Sequence, residues 1–457
     1  MASTIKLKKG FDINLAGKAE KVIAKSEQPE TFAIKPTDFI GMTRPKVMVA
    51  EGDVVKAGTP ILFDKRKNQV MYVSPVSGEI VNVKRGAKRK LLEIVILADR
   101  DTDYEEYKRY TVSELAGLSA EDAKASMLKG GLWPSLIQRP YGVVADPQDT
   151  PKAIFISAFD THPLAPDYDF LLQGDEKYFQ AGVDVLSKMT SGSVHINVNA
   201  EAEISKVFGS IKNATTNKFS GPHPAGNVGV QIHHLDPINK GEVAWTINPH
   251  SVTQIGKFFL EGIYDASKLI AVTGSEISKP AYYRTHIGAN VNKFLKNNLR
   301  SEHVRVISGN ALTGTAIGQD GHVGFYDHMI TVIPEGDKPR FFLTDGWLAP
   351  TTKRLSFHRA LGLLSFLSPK KEFELDTSTN GEPRAFVMTG AFEDVVPMDI
   401  LPTHLIKAIM AEDYDEMEAL GIYEVIEEDL ALCEFIDVSK HEIQSMIREG
   451  LDLLQES

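Results

Sequence analysis

Between Gly52 and Ile80 the chain reads GDVVKAGTPILFDKRKNQVMYVSPVSGEI, and the stretch leaves little freedom in what it can become. Short runs rich in β-branched and aromatic residues are cut by Gly52, Gly58, Pro60, Pro75 and Gly78, the signature of hairpins rather than helices. The same character extends over residues 1 to about 105. It runs through Val47, Val49, Val54, Val55, Ile61, Leu62, Val70, Tyr72, Ile80, Val81 and Val83 to LLEIVIL (91–97). An all-β unit is predicted there. The tract KRGAKRK (84–90) places five cations around Gly86, as an exposed, solvated hairpin tip would, or less readily as a contact for an anionic partner.

Beyond about residue 105 the period changes. AIFISAF (153–159) is a continuous apolar run of the kind that buries both faces in a parallel sheet. DEKYFQAGVDVLSKM (175–189) follows, with Phe179, Val183 and Leu186 on one helical face. SVHINV (193–198) reads as the next strand and AEISKVFGSI (202–211) as the next helix. SVTQIGKFFLEGIY (251–264) reads as a helix capped by Ser251 that leads into the strand KLIAVTG (268–274). This alternation predicts a doubly wound, Rossmann-like core over 106–300. RVISGNALTG, MITVIPEG and RFFLTDGW then suggest a small β-rich module. LPTHLIKAIMAEDYDEMEAL (401–420) opens a helical C-terminal region. Its last helix is expected to start with a capping box, Ser439 to Glu442, and to bury Ile443, Met446, Ile447, Leu451 and Leu454.

A length of 457 residues suits three or four such units, and 42% hydrophobic with 24% charged residues suits folded domains. There is one cysteine, Cys433, which excludes a disulfide framework and a cysteine-held iron–sulfur cluster within this chain. No stretch reaches the ~18 apolar residues that span a bilayer, and MASTIKLKKGFDINLAG has charges where a signal peptide needs an apolar core. The expectation is a soluble, cytoplasmic chain that meets a membrane only through a partner. Net charge is −11, but residues 393–457 hold 18 Asp/Glu against 3 Lys/Arg. That balance argues against nucleic acid, and it suits either a solvated helical face or docking on a basic protein surface.

A Rossmann-like core invites a nucleotide, yet neither G-x-G-x-x-G nor G-x-x-x-x-G-K-[ST] occurs. KGGLWPSLIQRP (129–140) offers only a Gly pair. SGPHPAGNVG (220–229) spaces Gly221, Gly226 and Gly229 widely and loses N–H donors to two prolines. The adjoining GPHPAGNVGVQIHHLDP (221–237) gathers His223, His233 and His234. On a strand, adjacent His233 and His234 would face opposite sides, so a structured loop with satisfied histidines outweighs a metal site. No Ser/His/Asp or Cys/His constellation stands out.

The 52–80 stretch resembles lipoyl and biotinyl carrier domains, which hold a prosthetic arm on a hairpin lysine. Lys67 falls near the arm position with Arg66 and Asn68 as unusual neighbours, and Asp64 followed by Lys65 has the carrier dipeptide two positions early. The expected outcome is the barrel without its arm.

A wider resemblance covers nearly the whole chain. IKLKKGFDINLAG (5–17), PKVMVAEGDVVKAGTPILFDKR (45–66), GLWPSLIQRPY (131–141), FDTHPLAPD (159–167), GPHPAGNVGVQIHHLDPI (221–238), SGNALTG (308–314), PMDILPTHLIKAI (397–409) and EEDLALCEF (427–435) occur in order. Together they are similar to the A subunit of the Na+-translocating NADH:quinone oxidoreductase, a six-subunit bacterial respiratory pump. That family resembles in turn the C subunit of the Rnf complex and the flavin subunit of complex I.

The resemblance implies an α/β multidomain protein in four parts. These are an N-terminal barrel-sandwich hybrid (1–105), a Rossmann-like α/β domain (106–300), a β-grasp, ubiquitin-like module (301–370), and a helical C-terminal domain (371–457) without iron–sulfur ligands. The relatives' flavin loop, G-x-G-G-A-G-F-P, is here Gly130-Gly131-Leu132-Trp133-Pro134, and their cysteine motifs are reduced to Cys433. The implied role is a redox-inactive structural and coupling subunit on the cytoplasmic side of the membrane, held chiefly by the membrane-embedded B subunit. FAD, FMN, iron–sulfur centres and NADH are then expected in partner subunits, with no cofactor, metal or catalytic residue in this chain. A quinone could contact it, with Leu132, Trp133, Gln138 and Arg139 as the candidate pocket by position. The alternatives are a flavin- or nucleotide-binding subunit using the Rossmann-like cleft, and a lipoyl- or biotin-type carrier.

Overall fold

The computed structural model describes residues 4–337, 341, 355, 357 and 371–456. Residues 31–99 form two facing antiparallel sheets. One orders Thr31–Ile34, Leu91–Ala98, Gly78–Arg85 and Val54–Val55; the other orders Pro45–Val47, Pro60–Asp64 and Lys67–Val73. Ile61, Leu62, Val70, Ile80, Ile94 and Ile96 are fully buried, Ile94 and Ile96 at alternate positions of Leu91–Ala98. The 84–90 tract is the exposed connection between Gly78–Arg85 and Leu91–Ala98, with Lys88 and Arg89 in left-handed conformations.

The α/β unit is built on a seven-stranded sheet. Four of its five inner strands, Thr215–Ser220, Val194–Asn199, Ile154–Ser157 and Ala244–Thr246, are parallel. Ile137–Arg139 and Val143–Val144 extend one edge antiparallel. Alternation along the central strand separates the faces. Ile154 and Ile156 join the core that holds Phe179, Val183 and Val252, whereas Ala153 and Phe155 pack with Ile232. The helices Glu176–Leu186 and Pro249–Glu261 therefore cover one face and Val228–Leu235 the other. The first two meet at glycines: a Cβ on Gly182 would strike Val252 O, and one on Gly256 would strike Tyr178 O.

A six-stranded mixed sheet orders Thr315–Ile317, Val304–Ser308, Met329–Pro334, Ser267–Thr273, Ala281–His286 and Glu20–Ile23. KLIAVTG is thus a strand, but it pairs antiparallel with Ala281–His286 and parallel with Met329–Pro334, outside the α/β sheet. An apolar run states that a strand is buried on both faces; it does not state in which sheet. RFFLTDGW (340–347) lies outside the described residues apart from Phe341.

The N-terminal segment stitches these units together. Thr4–Lys6 pairs parallel with Thr215–Ser220, and Glu20–Ile23 pairs with Ala281–His286, before the chain enters the barrel. The C-terminal helices Phe392–Val395, Pro402–Met410, Tyr414–Ala419, Ala431–Ile436 and Ile443–Glu456 share one core with Leu7, Ile13, Phe219, Ala225 and Val230. Cys433 is fully buried in it, and burial pushes its thiol well above the usual range.

Three helix limits differ from the sequence expectation. Asn248, not Ser251, caps Pro249–Glu261, its side chain accepting from His250 N at 2.9 Å; the following Pro249 is pre-set for a first helical position. AEISKVFGSI forms only the turn Lys206–Gly209. The last helix starts at Ile443, and the Ser439 hydroxyl donates to Ala385 O at 2.9 Å instead of capping it.

Candidate functional site

In a doubly wound sheet the loops at the carboxyl ends of the parallel strands form the crevice where ligands bind. Here those loops follow Ser157 and Ser220, and they are knitted together. Gly226 N donates to Thr161 Oγ1 at 2.9 Å, and Thr161 Oγ1 lies 3.1 Å from His223 Nδ1. His223 N donates to Asp12 Oδ1 at 2.8 Å, so the N-terminal segment helps hold the second loop. A side chain at Gly226 would meet Thr161 N at 2.7 Å, which leaves glycine as the residue that fits. Below the loops, Gln231 Nε2 donates to Ser157 Oγ at 2.9 Å and Asn197 Nδ2 donates to Gln231 Oε1 at 2.8 Å.

On the first loop, Asp160 Oδ1 accepts from His162 N at 2.8 Å and from His162 Nδ1 at 2.6 Å. The His162 and His223 rings lie 4.7 Å apart. Burial drives His162 down, but Asp160, with smaller help from Glu428 and Asp429, outweighs it and raises the imidazole to about 9. His223 is pushed down to about 3 by burial and then by its charged neighbour His162. At neutral pH the pair is one imidazolium beside one neutral imidazole.

The C-terminal region closes the crevice. The turn Glu427–Leu430 brings Glu428 Oε1 to 3.8 Å from His162 Nε2, and Asn227 Nδ2 donates to Glu428 O at 3.1 Å. Burial raises the Glu428 carboxyl, with His162 opposing. Asp429, which is fully buried, accepts from Arg139 Nη1 at 2.6 Å and from Ile426 N at 3.0 Å. Its carboxylate rests against Gly229, in the space a Cβ there would occupy. Arg448 pairs with Glu427 and donates to Tyr141 O at 2.8 Å.

His233 and His234 lie on the helix Val228–Leu235, not on a strand; Val228, Ile232 and Leu235 give the helical spacing. Asp399 N donates to His233 Nε2 at 2.9 Å, so the proton sits on Nδ1, which donates to Glu424 Oε2 at 2.6 Å. His234 Nε2 donates to Pro397 O at 2.7 Å. Both histidines clamp the C-terminal region onto the α/β unit. Among the described residues no group of three or more His, Cys, Asp or Glu side chains is arranged to hold a metal ion.

Of the residues singled out from sequence, His223 and Arg139 enter this cluster. Gln138 is engaged beside Arg139, donating to Asp149 Oδ2 at 2.8 Å and accepting from Asp146 N at 2.9 Å. Trp133 is fully buried, its indole N–H donating to Ala145 O at 2.9 Å and its ring edge-on to Trp245. Leu132 is buried next to it. None of the four quinone candidates lines either of two cavities elsewhere, a surface groove of about 340 Å3 beside Leu401, Lys407 and Leu420 and a void of about 10 Å3 beside His250 and Lys268. Lys65 and Arg66 form the tip of the barrel hairpin, with Asp64 accepting from Arg66 N at 3.0 Å. Lys67 is on the strand, its amine donating to Val144 O at 2.8 Å. Sequence reasoning misses Asp160, His162, Glu428 and Asp429. Their signal is present in FDTHPLAPD and EEDLALCEF, but nothing in sequence brings segments so far apart together.

Three family models match: the NqrA N-terminal barrel-sandwich hybrid domain over residues 5–99, the NqrA second alpha/beta domain over 118–264, and the NQRA C-terminal domain over 269–318. Among curated relatives, the A subunit of the Na(+)-translocating NADH-quinone reductase of Alcanivorax borkumensis is 35% identical over 452 residues, covering 99% of each chain. The proteins of the same name from Serratia proteamaculans and Neisseria meningitidis serogroup A are 36% and 37% identical, again over 99% of each chain. Among solved structures, an NAD+-reducing NiFe-hydrogenase in its air-oxidized state aligns at 11% identity, 76% of this chain, 68% of that chain and a TM-score of 0.38.

Proposed function

The chain belongs to the family of the A subunit of the Na(+)-translocating NADH-quinone reductase, and on that premise we propose that it is the redox-inactive structural and coupling subunit of the complex. The observation that carries the reading is the filled crevice. Where a Rossmann-like domain offers its loops to a ligand, Glu428 and Asp429 of this chain already engage His162, Asn227 and Arg139. The single cysteine is consistent, since a cluster needs several thiolates. FAD, FMN, iron–sulfur centres and NADH then belong to partner subunits. In this reading the six-stranded sheet corresponds to the β-grasp module of the relatives, and the helices beyond residue 391 to their iron–sulfur domain without its ligands.

Among the described residues no helix is long and apolar enough to cross a membrane. The proposed placement is peripheral, on the cytoplasmic side, against the membrane-embedded B subunit. Docking would use either the acidic helices of 393–457 or the basic 84–90 turn. Reversing the charges of each in turn tests this: one variant should lose its place in the membrane-bound complex, and normal assembly of both would reject these surfaces.

Contact with quinone is proposed at Leu132, Trp133, Gln138 and Arg139. Each is buried, so a quinone reaches them only with local rearrangement. Titration of a soluble quinone analogue should quench tryptophan fluorescence saturably in the parent, and because Trp245 lies against Trp133 the readout is the half-saturation concentration, which should rise several-fold in Trp133→Phe; the same half-saturation concentration in both would remove the proposal.

A further inference from the structure

We infer that the crevice is an oxyanion-binding site, suited to a carboxylate or phosphate monoester, and that the chain occupies it with its own Asp429. The local plan is that of an anion site: the strand Thr215–Ser220, a loop with Gly221 and Gly226, then the helix Val228–Leu235 with Gly229 in its first turn. Asp429 lies on Gly229 as a ligand lies on a loop that only glycine permits, its carboxylate filling the space of the missing Cβ.

The fit to Arg139 is that of a stand-in. A guanidinium and an oxyanion matched to each other make two parallel hydrogen bonds. Here Arg139, 2% exposed, gives Asp429 a single bond from Nη1, and its Nε and Nη2 are buried without a partner. Asp429 Oδ1 and Asn227 Oδ1 are also buried and unpartnered. Two guanidinium donors and one carboxylate oxygen are thus left unused across the pair, as a carboxylate held on a constrained turn would leave them. The turn is held by Asn227 to Glu428 O, His233 to Glu424 and Arg448 to Glu427. Those tethers give Asp429 a high effective concentration and exclude free anions from the intact chain. The inference goes beyond the absence of redox chemistry and holds or fails separately from it, since its readout involves neither flavin nor NADH.

The test uses the full chain carrying Asp429→Gly. Thermal unfolding is followed with sodium formate, sodium phosphate and, at matched ionic strength, sodium chloride. The variant should melt below the parent and recover saturably with formate or phosphate, half-maximally at a concentration on the order of millimolar. The parent should not respond beyond the general salt effect, and Arg139→Met combined with Asp429→Gly should not recover. Formate alone restoring stability marks a carboxylate-sized site; phosphate doing better marks a phosphate-sized one. Equal responses in variant and parent, or full recovery in the double variant, would overturn the inference. If Asp429→Gly does not fold unaided, refolding yield is the readout: a several-fold rise with formate or phosphate supports the site, and the same yield in chloride rejects it.

Discussion

Replacing Arg139 with methionine should be among the most damaging single changes in the chain. Arg139 and Asp429 have side chains 2% and 0% exposed and a charge-assisted bond of 2.6 Å. Removing one partner of such a pair strands the other charge, at about 3–5 kcal/mol. Methionine keeps most of the stem volume, and Arg139→Met also removes two buried donors that have no partner, Nε and Nη2, each worth about 1 kcal/mol or more if dry. The expected loss therefore sits at the lower end, about 3 kcal/mol. In a cooperative unit of this size each kcal/mol moves the midpoint by about 2–4 °C, so the transition should fall by about 6–12 °C. Calorimetry of the full chain, with its transitions resolved because a chain of several units need not melt in one step, is the assay. Arg139→Met with Asp429→Leu should recover most of the loss, since an apolar pair leaves no unmatched charge. A double variant as unstable as the single one would show that shape, not charge, sets the cost, and would refute the reasoning.

His162 gives a pH signature. Its folded value, about 9, lies above the ordinary 6.5, so its stabilisation is fully present below about 6.5 and is lost as pH rises through 9. The stability gap between the parent and His162→Gln should shrink between pH 7 and 9.5; a gap independent of pH would contradict the Asp160 contact as its source. Gly256→Ala should force the helices Glu176–Leu186 and Pro249–Glu261 apart at Tyr178 O, costing about 1–3 kcal/mol, and an unchanged melting curve would contradict that packing. Lys67 donates to Val144 O and lies 4.0 Å from Asp146, so the intact mass from native cells should show no lipoyl or biotinyl group; a mass increment mapped to Lys67 or Lys65 would show an arm.

Much of the barrel and of the α/β core is legible in sequence because both depend on local periodicity. The short β-rich runs ILFD and NQVMYV, set off by Gly and Pro, and the apolar run of AIFIS each form a strand that buries most of its apolar residues. The pairing of Thr4–Lys6 and Glu20–Ile23 is not, since a three- or four-residue edge strand carries too little pattern to name its neighbour. KLIAVTG reads correctly as a strand, yet its pattern suggests the wrong sheet for the same reason. The site is legible only in fragments. Arg139 stands out by its place in GLWPSLIQRPY, but its partner is Asp429, 290 residues away, and one chain's sequence holds no signal linking the two. His233 and His234 stand out as a pair, and both are satisfied by hydrogen bonds as expected, but on a helix and not in the structured loop expected for them. A helix turns both toward the C-terminal region where a strand would have separated them.

The central claim, that this subunit carries no redox centre and couples the complex by structure, is tested most directly by the chain purified from its native source. Its visible spectrum and its turnover of NADH with an artificial acceptor should show no flavin band and no activity. A flavin band at stoichiometric amount, with NADH turnover that a substitution in this chain abolishes, would contradict it.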